Sequence, residues 1–275
     1  MKKPRPPASV IDNNRMKSWL NTFAGYRHVV NEGRIDRFLE QFSPVDKDLG
    51  ARVLDSVEFV SHEQINQGFR EILNGLEGWS KFKNQRLGKW RFVPFTGSSG
   101  ESGDAMIHKF RQANGLGSER YDELFIYRRD LLKERLTSED TIVFLDDFSG
   151  TGRQATKIWE KYLHELLPDD PTIYLILVGI NDRAVKKISK ETDLNVLSFF
   201  HYNDRDNLFS DSCKSFTPAE KQIILKYCKR ADNRYPMGSG DCGMVLVLAH
   251  NTPNNSIPIL HTNHEKWEGL FRRND

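Results

Sequence analysis

The chain has 275 residues, 38% hydrophobic and 28% charged, enough for one large core or for a core with a smaller unit attached. A formal net charge of +2, with no like-charge run beyond Lys2, Lys3 and Arg5, argues against general attraction to nucleic acid. Three cysteines, Cys213, Cys228 and Cys242, odd in number and without metal-ligand spacing, argue against a disulfide framework and a zinc site, and fit a reducing compartment.

Residues 1–15 combine Pro4, Pro6 and Pro7 with adjacent asparagines, a composition that predicts an extended, mobile lead-in. From Met16 to about Leu76 apolar residues recur at helical spacing, as in Leu49, Val53, Val57 and Val60 and then Ile65, Phe69, Ile72 and Leu76. This predicts a helical subdomain over residues 16–88, with Ser43 or Asp46 capping one helix and Ser61 with Gln64 forming a capping box for the next. A winged-helix role would need a basic recognition helix, and none is clear there.

After Trp90 short apolar runs alternate with amphipathic stretches. Strands are expected at Arg91–Phe95, Leu124–Tyr127, Thr141–Leu145, Thr172–Gly179 and Asn195–Phe199, and helices at Asp104–Gln112, Ala155–Leu167 and Arg183–Thr192. Parallel strands need crossover connections, so the alternation predicts an α/β fold, a mostly parallel sheet with flanking helices, in a domain over residues 89–275. A helix at Pro218–Arg230 and a strand at Met244–Ala249 complete it. The longest apolar run, Ile173–Ile180, is far too short to span a bilayer, and no apolar segment follows the N-terminal basic residues, so the chain reads as cytoplasmic.

The sharpest signal is Thr141–Gln154, TIVFLDDFSGTGRQ. An apolar strand delivers Asp146 and Asp147 at its carboxyl end, open to a crevice because two adjacent unpaired carboxylates are costly to bury. The loop of Ser149, Gly150, Thr151, Gly152, Arg153 and Gln154 then leads into a helix. Glycines let backbone approach a ligand, and successive amides with a helix N-terminus offer an anion cradle. Carboxylates repel phosphate but accept hydrogen bonds from neighbouring ribose hydroxyls, so cradle and acceptors together suggest a ribose 5-phosphate. A P-loop reading fails because no Gly-Lys-Ser/Thr follows.

This stretch resembles the fingerprint of type I phosphoribosyltransferases, matched by Asp146, Asp147, Thr151 and Gly152, with Gln154 where the family has a final Thr or Ser. The resemblance runs from about Trp90 to Phe271. It implies that Thr96, Gly97, Ser98, Ser99 and Gly100, in the string FTGSSGESGD, form the pyrophosphate-binding loop. It also implies that Arg128 and Arg129 neutralise the departing pyrophosphate, whereas the residues alone read equally well as surface arginines beside Glu123 and Asp130. Only a short stretch separates Arg129 from the strand at Thr141, so the family's mobile hood loop would be short. Magnesium is implied as a passenger on the phosphorylated ligand, with no direct protein ligand.

The string HNTPNNSIPIL near the C-terminus reads as a tight turn. It also resembles a C-terminal signature of phosphoribosyltransferase-like proteins of bacterial conflict and anti-phage systems, retrons included. By that resemblance His250, Asn251, Asn254 and Asn255 line the same pocket. Two readings stand: an enzyme transferring phosphoribosyl groups or cleaving nucleotide glycosidic bonds as a defence effector, or a non-catalytic nucleotide sensor docked on a partner. The implied partners are a phosphorylated ribose or nucleotide and proteins of a defence system such as a retron reverse transcriptase complex. Homo-oligomerisation is left open, and no membrane is involved.

Overall fold

The computed structural model describes residues 12–95, 102–165, 167 and 171–273. In chain order the first elements are α1 (Asn13–Phe23), α2 (Glu32–Glu40), α3 (Lys47–Asp55), β1 (Glu58–Val60) and α4 (His62–Gly75). Next come β2 (Trp90–Pro94), α5 (Ser102–Ala113), β3 (Thr141–Ser149), α6 (Arg153–Ile158), β4 (Thr172–Asn181), α7 (Asp182–Glu191) and β5 (Asn195–Tyr202). Helix α8 (Pro218–Ala231), β6 (Leu246–Leu248) and the short pair β7 (Asn263–His264) and β8 (Trp267–Glu268) follow. They form two compact units, Glu63–Asn203 and a discontinuous one made of the chain up to His62 and from Asp204 onward. No described helix is long and apolar enough to cross a membrane.

The continuous unit is built on a parallel sheet in the order β2-β3-β4-β5, in register through pairs such as Phe92↔Val143, Ile142↔Ile173 and Leu175↔Val196. Successive side chains take opposite faces. Val93, Ile142, Phe144, Leu175 and Leu177 share a core with Ala155 and Ile158 of α6 and Ala184 and Ile188 of α7. On the aromatic side, Phe92 meets Phe110 of α5 at 4.8 Å, Phe110 meets Phe69 of α4 at 5.4 Å, and Phe69 meets Phe199 of β5 at 5.4 Å. Burial of both faces explains the unbroken apolar runs of β3 and β4. A Cβ on Gly68 would come within 2.4 Å of the Phe199 ring, so a glycine is what lets α4 lie so close to β5.

The expected strand at Leu124–Tyr127 is reduced to one parallel bridge, Phe92↔Phe125, with the Ile126 amide donating to the Phe92 carbonyl at 3.2 Å. 3₁₀ turns at Glu119–Leu124 and Arg128–Lys133 end the extended run on either side, and Tyr127 is 60% exposed. The Phe125 ring is held at a single point, between Phe92 (5.3 Å) and the guanidinium of Arg111 (4.6 Å). This one bridge still fixes topology. Because β2 has β3 on one flank, Phe125 occupies the other, so the chain leaves β2 in one direction and resumes across it at β3. Strand order reverses between β2 and β3, the place where doubly wound sheets bind ligands beyond their carboxyl ends.

Boundaries shift modestly elsewhere: the helix expected to reach Leu167 is α-helical only to Ile158 and then widens into a π turn, Trp159–Leu163, closed by the His164 amide on the Trp159 carbonyl at 3.0 Å. Helices α1 to α3 do not form a subdomain with α4. They pack with the C-terminal segment, Phe23 meeting Phe271 at 4.8 Å and Phe42 meeting Trp267 at 5.5 Å, while β1 pairs parallel with β6. Periodicity shows that a helix face is buried but not which distant segment covers it; by contacts the chain divides after His62 and after Asn203. Asp46 sits at the start of α3 without capping it, its carboxylate accepting instead from Ser43 Oγ (2.7 Å) and the Tyr227 hydroxyl (2.8 Å). Capping by Thr217 and Glu220 does occur at α8, with Pro218 in its first turn.

Candidate functional site

Strand β3 outlasts its neighbour on one side. Pairing with β2 ends at Pro94↔Leu145, and the Phe95 amide closes the ladder on the Leu145 carbonyl at 3.0 Å, whereas pairing with β4 continues to Ser149↔Ile180. Asp146, Asp147 and Ser149 therefore lie where one edge of β3 has been released, at the reversal of strand order. The expectation of two open carboxylates is corrected here. Asp146 is only 6% exposed and Asp147 is half-buried.

The cost of burying Asp146 is met locally. Ser102 Oγ, at the first position of α5, donates to Asp146 Oδ1 at 2.6 Å, and the Asp147 amide donates to the same oxygen at 2.9 Å. Burial, followed by the neighbouring charge of Asp147, pushes the Asp146 pKa up to about 8. The Asp147 Oδ1 accepts from the Phe148 amide at 2.7 Å. Two adjacent carboxyls thus differ: one buried and protonated below about pH 8, the other nearer the surface.

Beyond β3 the chain turns through half-buried Ser149 and Thr151 and buried Gly150 and Gly152. Gly152 caps α6 in the left-handed region (φ 73°, ψ −8°), and the Arg153 amide reaches Thr151 Oγ1 at 3.4 Å. A Cβ at Gly152 would lie 3.1 Å from the Ala184 carbonyl and 3.2 Å from Lys187 Cβ, so this glycine permits the close approach of α7. Arg153 and Gln154 are exposed. The expected second loop, Thr96, Gly97, Ser98, Ser99 and Gly100, lies outside the described residues. Its described flanks are Phe95, packed on Phe144 at 5.5 Å, and Ser102 beside Asp146.

A family model, PRTase-CE, matches residues 35–273, most of the chain and both compact units. The chain belongs to the PRTase-CE family. It is a phosphoribosyltransferase-like protein. No curated protein matches it.

Two arginines implied for this PRTase-CE site behave differently. Arg129 is 83% exposed at its side chain, lies 5.4 Å over the Tyr127 ring and stands 4.0 Å from Asp130. Arg128 is half-buried, its guanidinium 4.5 Å over the Tyr162 ring, and its Nη1 is buried without a hydrogen-bond partner. The C-terminal string belongs to the discontinuous unit. Asn251 closes a turn with Leu248 through paired backbone bonds of 3.0 and 3.1 Å, and the Asn254 carbonyl accepts from the Ser239 amide at 2.7 Å. Asn255 is 7% exposed and donates to the Ser239 carbonyl at 2.8 Å and to Cys242 Sγ at 3.4 Å, while His250 is half-buried. For Asn251, Asn254 and Asn255 the described bonds are those of a built turn.

Sequence reasoning missed Ser102. It stood inside the glycine- and serine-rich string already singled out, but nothing in composition separates a serine that opens a helix from one that holds a carboxyl. The burial of Asp146 had a signal: it follows five consecutive apolar or strand-favouring residues, Thr141–Leu145, without a turn residue between.

Proposed function

We propose that this phosphoribosyltransferase-like protein binds a ribose 5-phosphate-containing ligand, phosphoribosyl pyrophosphate or a nucleotide, beyond the carboxyl end of β3. The observation that carries this reading is the acidic pair and glycine-capped turn standing where strand order reverses between β2 and β3. Asp147, the less buried of the pair, is the acceptor for the ribose hydroxyls, and Asp146, tied to Ser102, holds its amide and its position. Ser149, Thr151 and the amides running into α6 receive the phosphate. Arg128 is the cation assigned to the charge of a departing pyrophosphate, while solvent-facing Arg129 contributes at most through the general field. Magnesium, arriving on the polyphosphate, would supply neutralisation of its charge.

The finer reading is an effector of a bacterial anti-phage system that acts on nucleotides in the cytoplasm alongside partner proteins such as a retron reverse transcriptase complex. A non-catalytic sensor is the second reading, favoured by Gln154 in place of the Thr or Ser of the fingerprint and by an Asp146 that burial keeps protonated near neutral pH. Calorimetric titration with phosphoribosyl pyrophosphate and a nucleotide panel, with magnesium and parallel product analysis, tests both. Asp147→Asn should weaken binding by about 1–3 kcal/mol, roughly 5- to 150-fold, with the thermal midpoint unchanged. Binding without turnover selects the sensor; no binding to any phosphorylated ribose removes both.

A further inference from the structure

Inside the discontinuous unit, where β1 pairs with β6, the packing leaves a cavity of about 140 Å³. Its floor is apolar: Leu208, Met244 and Leu246 are each 1% exposed, and Cys213 and Phe216 are buried beside them. The more exposed lining residues, Glu58, Arg205 and Asp206, form the rim. None of these side chains has a part in the site beyond β3.

Unfilled volume forfeits the contacts of the atoms around it, so a core tends to collapse onto a void of this size. Here the walls are pinned. The buried Lys221 of α8 donates to the carbonyls of Ser210 and Cys213 at 2.5 and 2.7 Å. The Leu208 amide is tied to the Gly243 carbonyl, and the Glu58 amide to the Val245 carbonyl, each at 2.9 Å. Arg52 pairs with Glu220, donates to the Ser215 carbonyl at 3.0 Å and stands 5.2 Å from the centroid of the Phe216 ring. The backbone around the cavity is therefore held apart from several sides.

What the space can hold follows from its lining. A buried water needs several polar partners, and the floor side chains offer none stronger than the sulfurs of Cys213 and Met244. An apolar cavity of about 150 Å³ takes up benzene. The Met244 thioether and the Phe216 ring favour an aromatic occupant over an aliphatic one. At the rim Glu58 and Asp206 are balanced by Arg205 and by the Lys221 ammonium behind Cys213, while Arg52 and Glu220 cancel. No net charge draws an ion there, but a neutral hydroxyl or N–H finds acceptors. A nucleobase, polar along most of its edge, would leave those groups unpaired against the floor.

We propose that this cavity is a binding site for a small neutral aromatic molecule with a single polar tip, of the phenol or indole kind. The ring lies on the floor made by Met244, Phe216 and Leu246, and the tip faces the carboxylates of the rim. This site is independent of the ribose reading, because every residue it uses belongs to the discontinuous unit.

The test is titration of the full-length protein with phenol and with indole, read by methionine methyl NMR signals and by the thermal midpoint. Both probes should bind in the millimolar range or tighter, shift the Met244 signal and leave that of Met106, in the other unit, in place. Benzoate, benzylammonium and adenine should each bind at least tenfold more weakly than phenol. Cys213→Leu grows into the cavity, so it should lower phenol affinity at least tenfold and melt no lower than wild type. The same change at Cys228, 0% exposed in the packed core, should lower the midpoint by overpacking. Asp147→Asn should bind phenol as wild type does, so this proposal and the ribose reading fail separately. A Met244 signal that neither probe moves, benzoate, benzylammonium or adenine binding as tightly as phenol, or a Cys213→Leu variant that keeps wild-type affinity or melts as low as Cys228→Leu would each overturn the proposal.

Discussion

Asp146 couples the candidate site to stability through a proton. Its pKa rises from 3.8 to about 8 on folding, so between those values the folded protein holds a proton that the unfolded chain has released. At this group the unfolded state binds fewer protons in that window, so the contribution of Asp146 to stability falls as pH rises through it. Below about pH 4 the effect vanishes, and above about pH 8 it is complete. Asp146→Asn keeps the shape and removes the charge. Denaturant unfolding should find this variant more stable than wild type at pH 9, on the order of several kcal/mol, and equal to it near pH 4. Ser102→Ala should move the other way at pH 9 by about 1–3 kcal/mol, since it strips a donor from a buried carboxyl. A stability difference between Asp146→Asn and wild type that does not grow from pH 5 to pH 9 would contradict the burial of Asp146. At this scale the acidic pair was legible in sequence as a pair, while the inequality of its members was not, because that depends on Ser102 across the released edge of β3.

Among elements, two glycines separate packing from ligand binding. Gly152 takes left-handed angles with α7 closing on it, so Gly152→Ala should cost about 1–2 kcal/mol of stability in the absence of any ligand. Had the glycine served only to admit a phosphate, thermal unfolding of the ligand-free variant would match wild type. Gly68→Ala should also destabilise, by about 1–3 kcal/mol, because its new Cβ would meet the Phe199 ring. The strands of the sheet were legible from apolar runs because both faces are buried and nothing polar interrupts them. Leu124–Tyr127 carried the same signal yet forms a single bridge, since strand pairing needs a partner edge and the 3₁₀ turns on either side allow only Phe125 to reach it. The π turn in the helix after β3 left no mark in periodicity, for a widened turn shifts the pattern by one residue only.

At the scale of the whole molecule the two compact units differ in how they are strung. Glu63–Asn203 is continuous, and both faces of its parallel sheet are covered from within: α6 and α7 on one, the Phe69, Phe92, Phe110 and Phe199 rings on the other. The other unit joins chain ends, its core built from Trp19, Phe23, Phe38 and Phe42 on one side and Trp267, Leu270 and Phe271 on the other. Sequence could not reveal this join, because amphipathic helices advertise a buried face without naming the residues that bury it. A fragment spanning residues 62–203 should therefore fold, giving mixed α/β circular dichroism and a cooperative melt, since the core between the sheet and helices α6 and α7 lies wholly within it. A fragment ending at residue 62 should be largely unfolded, because α1 to α3 would expose the rings that Trp267 and Phe271 cover. Thiol labelling gives an independent reading in the intact chain: Cys213, Cys228 and Cys242 are all buried in the discontinuous unit, so a thiol reagent reports the opening of that unit alone. Deleting the segment after Asn203 should leave the sheet signal of the remaining chain while α1 to α3 lose theirs. If the fragment 62–203 shows no cooperative transition, or the fragment ending at residue 62 melts cooperatively by itself, the division of the core described here is wrong.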